Sequence, residues 1–149
     1  MTGYLLDTNV ASVLAPGRRE KIIDAGVLAW LEGREPSLYL STMTVMEIET
    51  GIQQLARTGS TRRRPELSVW LFGLLQTFGD RVLPFDGEAA MAAGRLEATV
   101  LAKGRHPGLA DIIIAAIGEV RGLPILTRNL RHFRDLGVSC IDPFKSLPP

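Results

Sequence analysis

The sequence predicts an α/β protein, a mostly parallel sheet of about four or five strands with helices on both faces. Three observations carry that expectation. Short runs of consecutive apolar residues, such as Tyr4-Leu5-Leu6, Leu38-Tyr39-Leu40 and Ile125-Leu126, have the length and continuity of strands buried on both sides. Longer stretches between them carry apolar residues at helical spacing. The two kinds of segment alternate along the chain, as parallel βαβ units require.

Taken in order, the first strand ends abruptly at Asp7-Thr8-Asn9, where Thr8 or Asn9 can cap a short helix that stops at Pro16-Gly17. A second helix is expected from about Arg19 to Gly33, with Ile22, Ile23, Val27, Leu28 and Leu31 as its apolar stripe and Trp30 at its edge. Leu38 to Ser41 reads as the second strand, and Thr44 to Arg57 as a helix with Val45, Ile48, Ile52 and Leu55 inward. A polar, basic loop from Gly59 to Pro65 precedes a helix reaching about Phe78. Arg81 to Phe85 is the third strand, and Asp86 caps a helix from Gly87 to Lys103. After a turn at 104–108, Leu109 to Arg121 forms a helix ended by Gly122 and Pro124. Ile125-Leu126-Thr127 is the fourth strand, Arg131 to Leu136 a helical turn, and Val138 to Ile141 a last short strand.

With 149 residues, 46% of them hydrophobic and 22% charged, the chain suits one folded domain with a sizeable core. The net charge of +1 does not mark a nucleic-acid binder. Its distribution is more telling, because basic residues bunch at Arg18-Arg19, Arg62-Arg63-Arg64, Lys103-Arg105-His106 and Arg128-Arg131-His132-Arg134. The single Cys140, between Ser139 and Ile141, excludes an internal disulfide, fits a reducing compartment and reads as a buried strand thiol. No stretch resembles a signal peptide or a membrane span, so the expected location is the cytoplasm.

The opening strand delivers Asp7 to the carboxyl end of the sheet, where sites form in open α/β proteins. Acids elsewhere are candidates to join it. Thr44 and Glu47 have the spacing of a capping box, and Glu49 lies nearer the apolar stripe, so helical spacing alone does not choose between the two glutamates. Asp111 precedes Ile112-Ile113-Ile114, which cover more than half of a helix. A charge there is expensive unless paired or bound to a cation. It shares a strip with Ala115, Gly118 and Gly122, small residues that let another element approach. Asp86 reads as a helix cap, and Asp80, Asp135 and Asp142 as solvated turn residues. Thr127 and Asn129, after the fourth strand, repeat the hydroxyl and amide that follow Asp7.

If Asp7, Glu47 and Asp111 converge they repel, at a cost of about 4 kcal/mol for two unit charges about 4 Å apart in an effective dielectric near 20. A cation relieves that cost. Oxygen-only ligands favour Mg²⁺ or Mn²⁺ over zinc, and the two histidines, His106 and His132, read as isolated, which counts against a His-based zinc site. The reaction that suits such a site is phosphodiester hydrolysis. There is no Gly-Lys-Ser/Thr phosphate loop, no G-x-G-x-x-G after the first strand and no G-x-S-x-G elbow. An aspartyl phosphatase would often carry an acid two residues after Asp7, where this chain has Asn9.

Four stretches in this order resemble PIN-domain proteins, specifically VapC-like toxin ribonucleases of bacterial toxin–antitoxin pairs. They are Leu5 to Val10, Leu40 to Ile48, Ala110 to Ala115, and Leu126 to Asn129 with Phe133. The resemblance spans Tyr4 to Phe144. It implies a single PIN domain over residues 1–149, with a three-layer α/β/α architecture, and a toxin of a type II system that cleaves RNA with Mg²⁺ or Mn²⁺. It also implies a homodimer and a VapB-like antitoxin that blocks the acidic pocket. Asp7, Glu47 and Asp111 match the family's acidic metal-site positions, which selects Glu47 over Glu49, and Thr127 matches the hydroxyl beside the site. Many relatives have a further acid at the position of Asn129 or His132. This chain has an amide and an imidazole there, so a pocket of three acids is expected, with Asn129 able to bind metal through a water or to orient Asp111. Arg128 and Arg131 are the candidates for RNA phosphate contacts, and single-stranded or looped RNA is the expected substrate. A PIN-like binding module without turnover is the alternative.

Overall fold

The structure, a computed structural model, describes residues 2–17, 22–59 and 62–149, with only the backbone of residues 22–24. The Arg18-Arg19 cluster, the start of the second helix, the Ile22 and Ile23 side chains and part of the 59–65 loop therefore lie outside the described residues.

Among the described residues five strands form one sheet in the order β3-β2-β1-β4-β5, every neighbouring pair parallel. They are β1 (Tyr4–Leu6), β2 (Leu38–Ser41), β3 (Val82–Leu83), β4 (Ile125–Leu126) and β5 (Cys140–Ile141). The helices are α1 (Thr8–Ala11), α2 (Ile22–Gly33), α3 (Thr42–Gln54), α4 (Arg63–Phe78), α5 (Gly87–Ala102), α6 (Leu109–Arg121) and α7 (Leu130–Asp135). The chain runs from β1 outward through β2 to β3, then crosses back to β4 on the other side of β1. The strand order thus reverses between β1 and β4, and an open α/β sheet leaves a crevice beyond the strand ends at such a point.

Alternation along the strands separates the two cores. Leu5 and Ile125, paired in register, face a cluster with α5, α6 and α7 that includes Leu96, Ile114, Ile117 and Phe133. Leu6 and Leu126, the next pair, face the opposite cluster of Val10, Val27, Leu31, Ile48, Leu71 and Phe78 from α1 to α4. A sheet buried on both sides explains the unbroken apolar runs. Two glycines are needed for close approach. Gly3 has φ 138, and a Cβ there would run into the Ser37 carbonyl. On α6, a Cβ at Gly118 would stand 3.1 Å from both the Leu123 carbonyl and Ile125 Cγ1. The Leu123 N–H donates to the Gly118 carbonyl at 2.9 Å, so that turn cannot retreat. Gly118→Val should therefore destabilise the protein by about 1–3 kcal/mol. An unchanged urea midpoint would show that α6 and β4 are not this close.

Several boundaries differ from expectation. Asp7 itself caps α1, its side chain accepting the Thr8 N–H, where Thr8 or Asn9 was expected. Helix α3 begins at Thr42, not Thr44, because Ser41 closes β2 and its Oγ accepts the Thr44 N–H at 3.0 Å. Glu47 then lies in the second turn, too far along to serve a capping box. Strand β3 is shorter than 81–85, with Arg81 ending a 3₁₀ turn and pairing with Glu35. Asp86 caps α5 as expected, accepting the Ala89 N–H at 2.9 Å. Asp142 is buried rather than solvated and accepts the Phe144 N–H. Cys140 is half-buried in β5, and burial pushes its thiol up. No helix among the described residues is long and apolar enough to cross a membrane.

Candidate active site

The crevice between β1 and β4 is bridged at its mouth by side chains from both strands. The Asp7 N–H donates to the Leu126 carbonyl at 2.9 Å, extending the ladder by one residue and fixing the carboxylate just past the sheet. Asp7 is only 3% exposed. Its Oδ1 accepts the Thr8 N–H at 2.8 Å, and its Oδ2 accepts the Thr127 hydroxyl at 2.7 Å and the Asn9 amide at 2.9 Å. Thr127, fully buried, also receives the Asn129 N–H at 2.9 Å, and Asn9 Oδ1 receives the Arg128 N–H at 3.1 Å. Thr127 and Asn9 therefore tie the two loops that leave β1 and β4 to a single carboxylate.

Glu47 joins from α3. The Thr8 hydroxyl donates to its Oε1 at 2.6 Å and lies 3.1 Å from Thr44 Oγ1, which in turn lies 3.2 Å from Ser41 Oγ. Thr8 thus links the loop after β1 to the glutamate. Glu49 is exposed and accepts from Gln53, outside the pocket. Asp111 joins from the first turn of α6, with its Oδ2 2.7 Å from His132 Nδ1 on α7. A carboxylate only accepts, so the contact puts the ring proton on Nδ1. His132 is not isolated, as the sequence suggested, but fixes one of the acids. The only sequence signal for it was its position in the Asn129-to-Phe133 stretch. The Ser41–Thr44–Thr8 hydroxyl row was likewise missed, because it forms only when α3 packs on α1.

Burial pushes the Asp7 carboxyl up from 3.8 to about 6, and the charges of Asp111 and then Glu47 add to the rise. Hydrogen bonds from Thr127 and the Thr8 backbone oppose it. Two acids from distant segments therefore act on Asp7 through the field, and the penalty on Asp7 is one that a cation relieves. Among the described residues no three His, Cys, Asp or Glu side chains close tightly enough to enclose an ion by themselves. The donors are carboxylates, and Mg²⁺ commonly takes one or two carboxylates and completes its shell with waters and substrate phosphates. The residues present fit such an ion.

Asn129 is exposed at the start of α7, its side chain makes no capping bond, and it is tied to the site through its backbone N–H. Arg128 and Arg131 are exposed at the same rim, the Arg128 guanidinium lying 3.6 Å over the Phe144 ring.

A parallel sheet with acids gathered at its order reversal defines the class. Residues 4–138 match the PIN-domain family, and the chain belongs to that family. It is 39% identical over 150 residues to the plasmid stability protein StbB of Pseudomonas syringae pv. tomato, spanning 95% of this chain and 99% of that protein. It is 35% identical over 143 residues to the VapC ribonuclease Y4jK of Sinorhizobium fredii, spanning 95% and 97%. The crystal structure of FitAcB from Neisseria gonorrhoeae superimposes with a TM-score of 0.76 at 29% identity, over 95% of this chain and 98% of that one.

Proposed function

We propose that this chain is a Mg²⁺- or Mn²⁺-dependent endoribonuclease and the toxin of a type II toxin–antitoxin pair. The observation that carries the reading is the buried Asp7 carboxylate, raised toward neutrality beside Asp111 and Glu47 at the β1/β4 crevice. Membership of the PIN-domain family supports it, as does similarity to a protein named a VapC ribonuclease.

Asp7, Glu47 and Asp111 would hold the ion, with Asn129, tied to the site through its backbone N–H, as a further candidate oxygen donor. When bound, the ion supplies positive charge that polarises the phosphodiester and makes an attacking water more acidic. The chain's own work is positional. Thr127 and Asn9 hold Asp7, Thr8 holds Glu47, and His132 holds Asp111. Ligands pinned this way lose little freedom when substrate arrives. Arg128 and Arg131 are the candidates for RNA phosphates, supported by their exposure at the rim. A VapB-like antitoxin and a second copy of the chain are the proposed protein partners, and Val69 and Phe72, exposed together on α4, offer apolar surface for one of them. Asp7 as a phosphoryl-accepting nucleophile is disfavoured, because Asn9 stands where a second acid would be expected and its amide is spent on Asp7.

Incubation with single-stranded and hairpin RNA tests the reading. Cleavage should require Mg²⁺ or Mn²⁺, stop with chelator, and fall about a thousandfold in Asp111→Asn, the effect of losing about 4 kcal/mol of carboxylate–cation attraction. Equal cleavage by wild type and variant, or cleavage indifferent to chelator, would overturn it. Absence of cleavage together with retained RNA binding would favour the binding-module alternative.

A further inference from the structure

Between the 103–108 loop and α7 lies a cavity of about 610 Å³ whose walls include Gly104, Arg105, His106, Arg131, His132 and Asp135. That volume is typical of ligand pockets. His132 is both a wall of this cavity and the partner of Asp111, so the cavity begins where the carboxylates end. Its charge suits an anion. Arg131 is exposed and has no hydrogen-bond or ion-pair partner among the described residues. Asp135 is the acid of the lining and lies 3.6 Å from Arg105, while Glu97 and Asp111 stand behind the His106 and His132 rings, so Arg131 is the lining cation left without an acid among the described residues.

His106 supplies a flat surface. Its Nδ1 accepts the Gly108 N–H at 3.1 Å, so Nε2 carries the proton toward Glu97 Oε1, also at 3.1 Å. Both ring nitrogens are engaged within its own part of the chain, and the ring is fixed as a wall of the cavity. Cationic groups beside a fixed ring are the elements with which proteins hold single-stranded nucleic acid, the charges meeting phosphates and the ring meeting a base.

We propose that this cavity is a subsite for single-stranded RNA, in which Arg131 and Arg105 meet the phosphate next to the one cleaved and the His106 ring receives the attached base. The proposal rests on the endoribonuclease reading for the position of the cleaved bond. An acidic peptide would satisfy the arginines but would leave the ring and the continuity with the acids unused.

The test is anisotropy of a short fluorescein-labelled single-stranded RNA with the full chain carrying Asp7→Asn, titrated at several salt concentrations. Removing one cation that meets a phosphate should reduce the slope of log K against log salt by about 0.7, so Arg131→Gln with Arg105→Gln should flatten it by about 1.4. His106→Ala should weaken binding about fivefold or more with the slope unchanged, because stacking releases no counterions. Arg57→Gln, far along the chain on an exposed surface, should change neither. An unchanged affinity and slope in the double arginine variant would overturn the subsite. So would equal displacement of the RNA by an oligoglutamate peptide, with the same arginine dependence. The arginines are surface residues, so their result does not depend on the His106 variant folding. Wild-type cleavage with an unaltered KM in the double variant would sink the subsite and leave the nuclease reading standing. A flattened slope in a protein that cuts no RNA would do the reverse.

Discussion

Asp7→Asn should reduce RNA cleavage by about a thousandfold while leaving the metal-free protein as stable as wild type at pH 7, or up to ~2 kcal/mol more stable. The catalytic half follows from charge. The amide keeps the shape of the side chain and still offers Oδ1 to the Thr8 N–H, but it removes one of the three negative charges that would hold the ion. The stability half follows from the rise of Asp7 from 3.8 to about 6 on folding, caused first by burial and then by Asp111 and Glu47. An acid raised on folding holds its proton more tightly in the native state, so protonation favours folding. Below pH 3.8 both states carry the proton and no penalty exists. The penalty grows as the pH climbs toward about 6 and is fully present at pH 7, where it amounts to about 3 kcal/mol. The variant escapes that cost but puts an amide donor where Oδ2 accepted from both Thr127 and Asn9. The Thr127 hydroxyl can turn to accept, while the Asn9 amide is left facing a donor, which costs about 1–2 kcal/mol. Urea midpoints in chelator at pH 5 and pH 7 check the sign, since the variant's advantage should be greater at pH 7. An advantage that stays constant would mean that Asp7 carries no buried ionisation penalty. Added Mn²⁺ should raise the melting temperature of the wild type and do little for the variant.

Phe133→Ala should cost about 3–5 kcal/mol and lower the melting temperature by about 10 °C. Phe133 is fully buried and is the one buried residue of the six-residue helix α7. So short a helix has little stability of its own. Its position depends on the phenyl ring in the cluster with Ile114, Ile117 and Leu136. Because His132 precedes Phe133, the loss should reach the site as well, freeing Asp111 from its 2.7 Å partner. His132→Ala separates the two effects. It removes the same hydrogen bond without opening a cavity in the core, and should change stability by about 1 kcal/mol at most. Equal melting temperatures for the two variants would mean that the ring does not anchor the helix.

What could be read from the chain was whatever one segment encodes alone. Tyr4-Leu5-Leu6 is apolar without interruption because both faces of β1 are covered. Asp111 ahead of three isoleucines announced a charge entering a buried helix, and the structure finds it partly buried beside His132. The bounds of α6 came out as expected because Gly122 ends it in the left-handed conformation. Features made by two segments were invisible. The bond from Thr8 to Glu47 spans 39 positions and that from His132 to Asp111 spans 21, and neither spacing has a local signature. The start of α3 was misread because Thr44 has the right chemistry for a cap, while Ser41, three residues earlier, has both the chemistry and the extended backbone. The cavity behind His132 needs a loop and a helix brought together, so the His106-Pro107 turn gave no hint of it.

The bond between Thr127 and Asp7 joins residues 120 positions apart and closes the crevice from both sides. It has a consequence in time. A ribosome that has just made β1 must still add those 120 residues before the strand's second neighbour exists, which takes about 6 to 24 s at 5–20 residues per second. Throughout that interval Asp7 lacks Thr127, Asp111 has not been made for most of it, and the nascent chain has no assembled acid pocket. The pocket would assemble only once Thr127 has been made and β4 has docked beside β1.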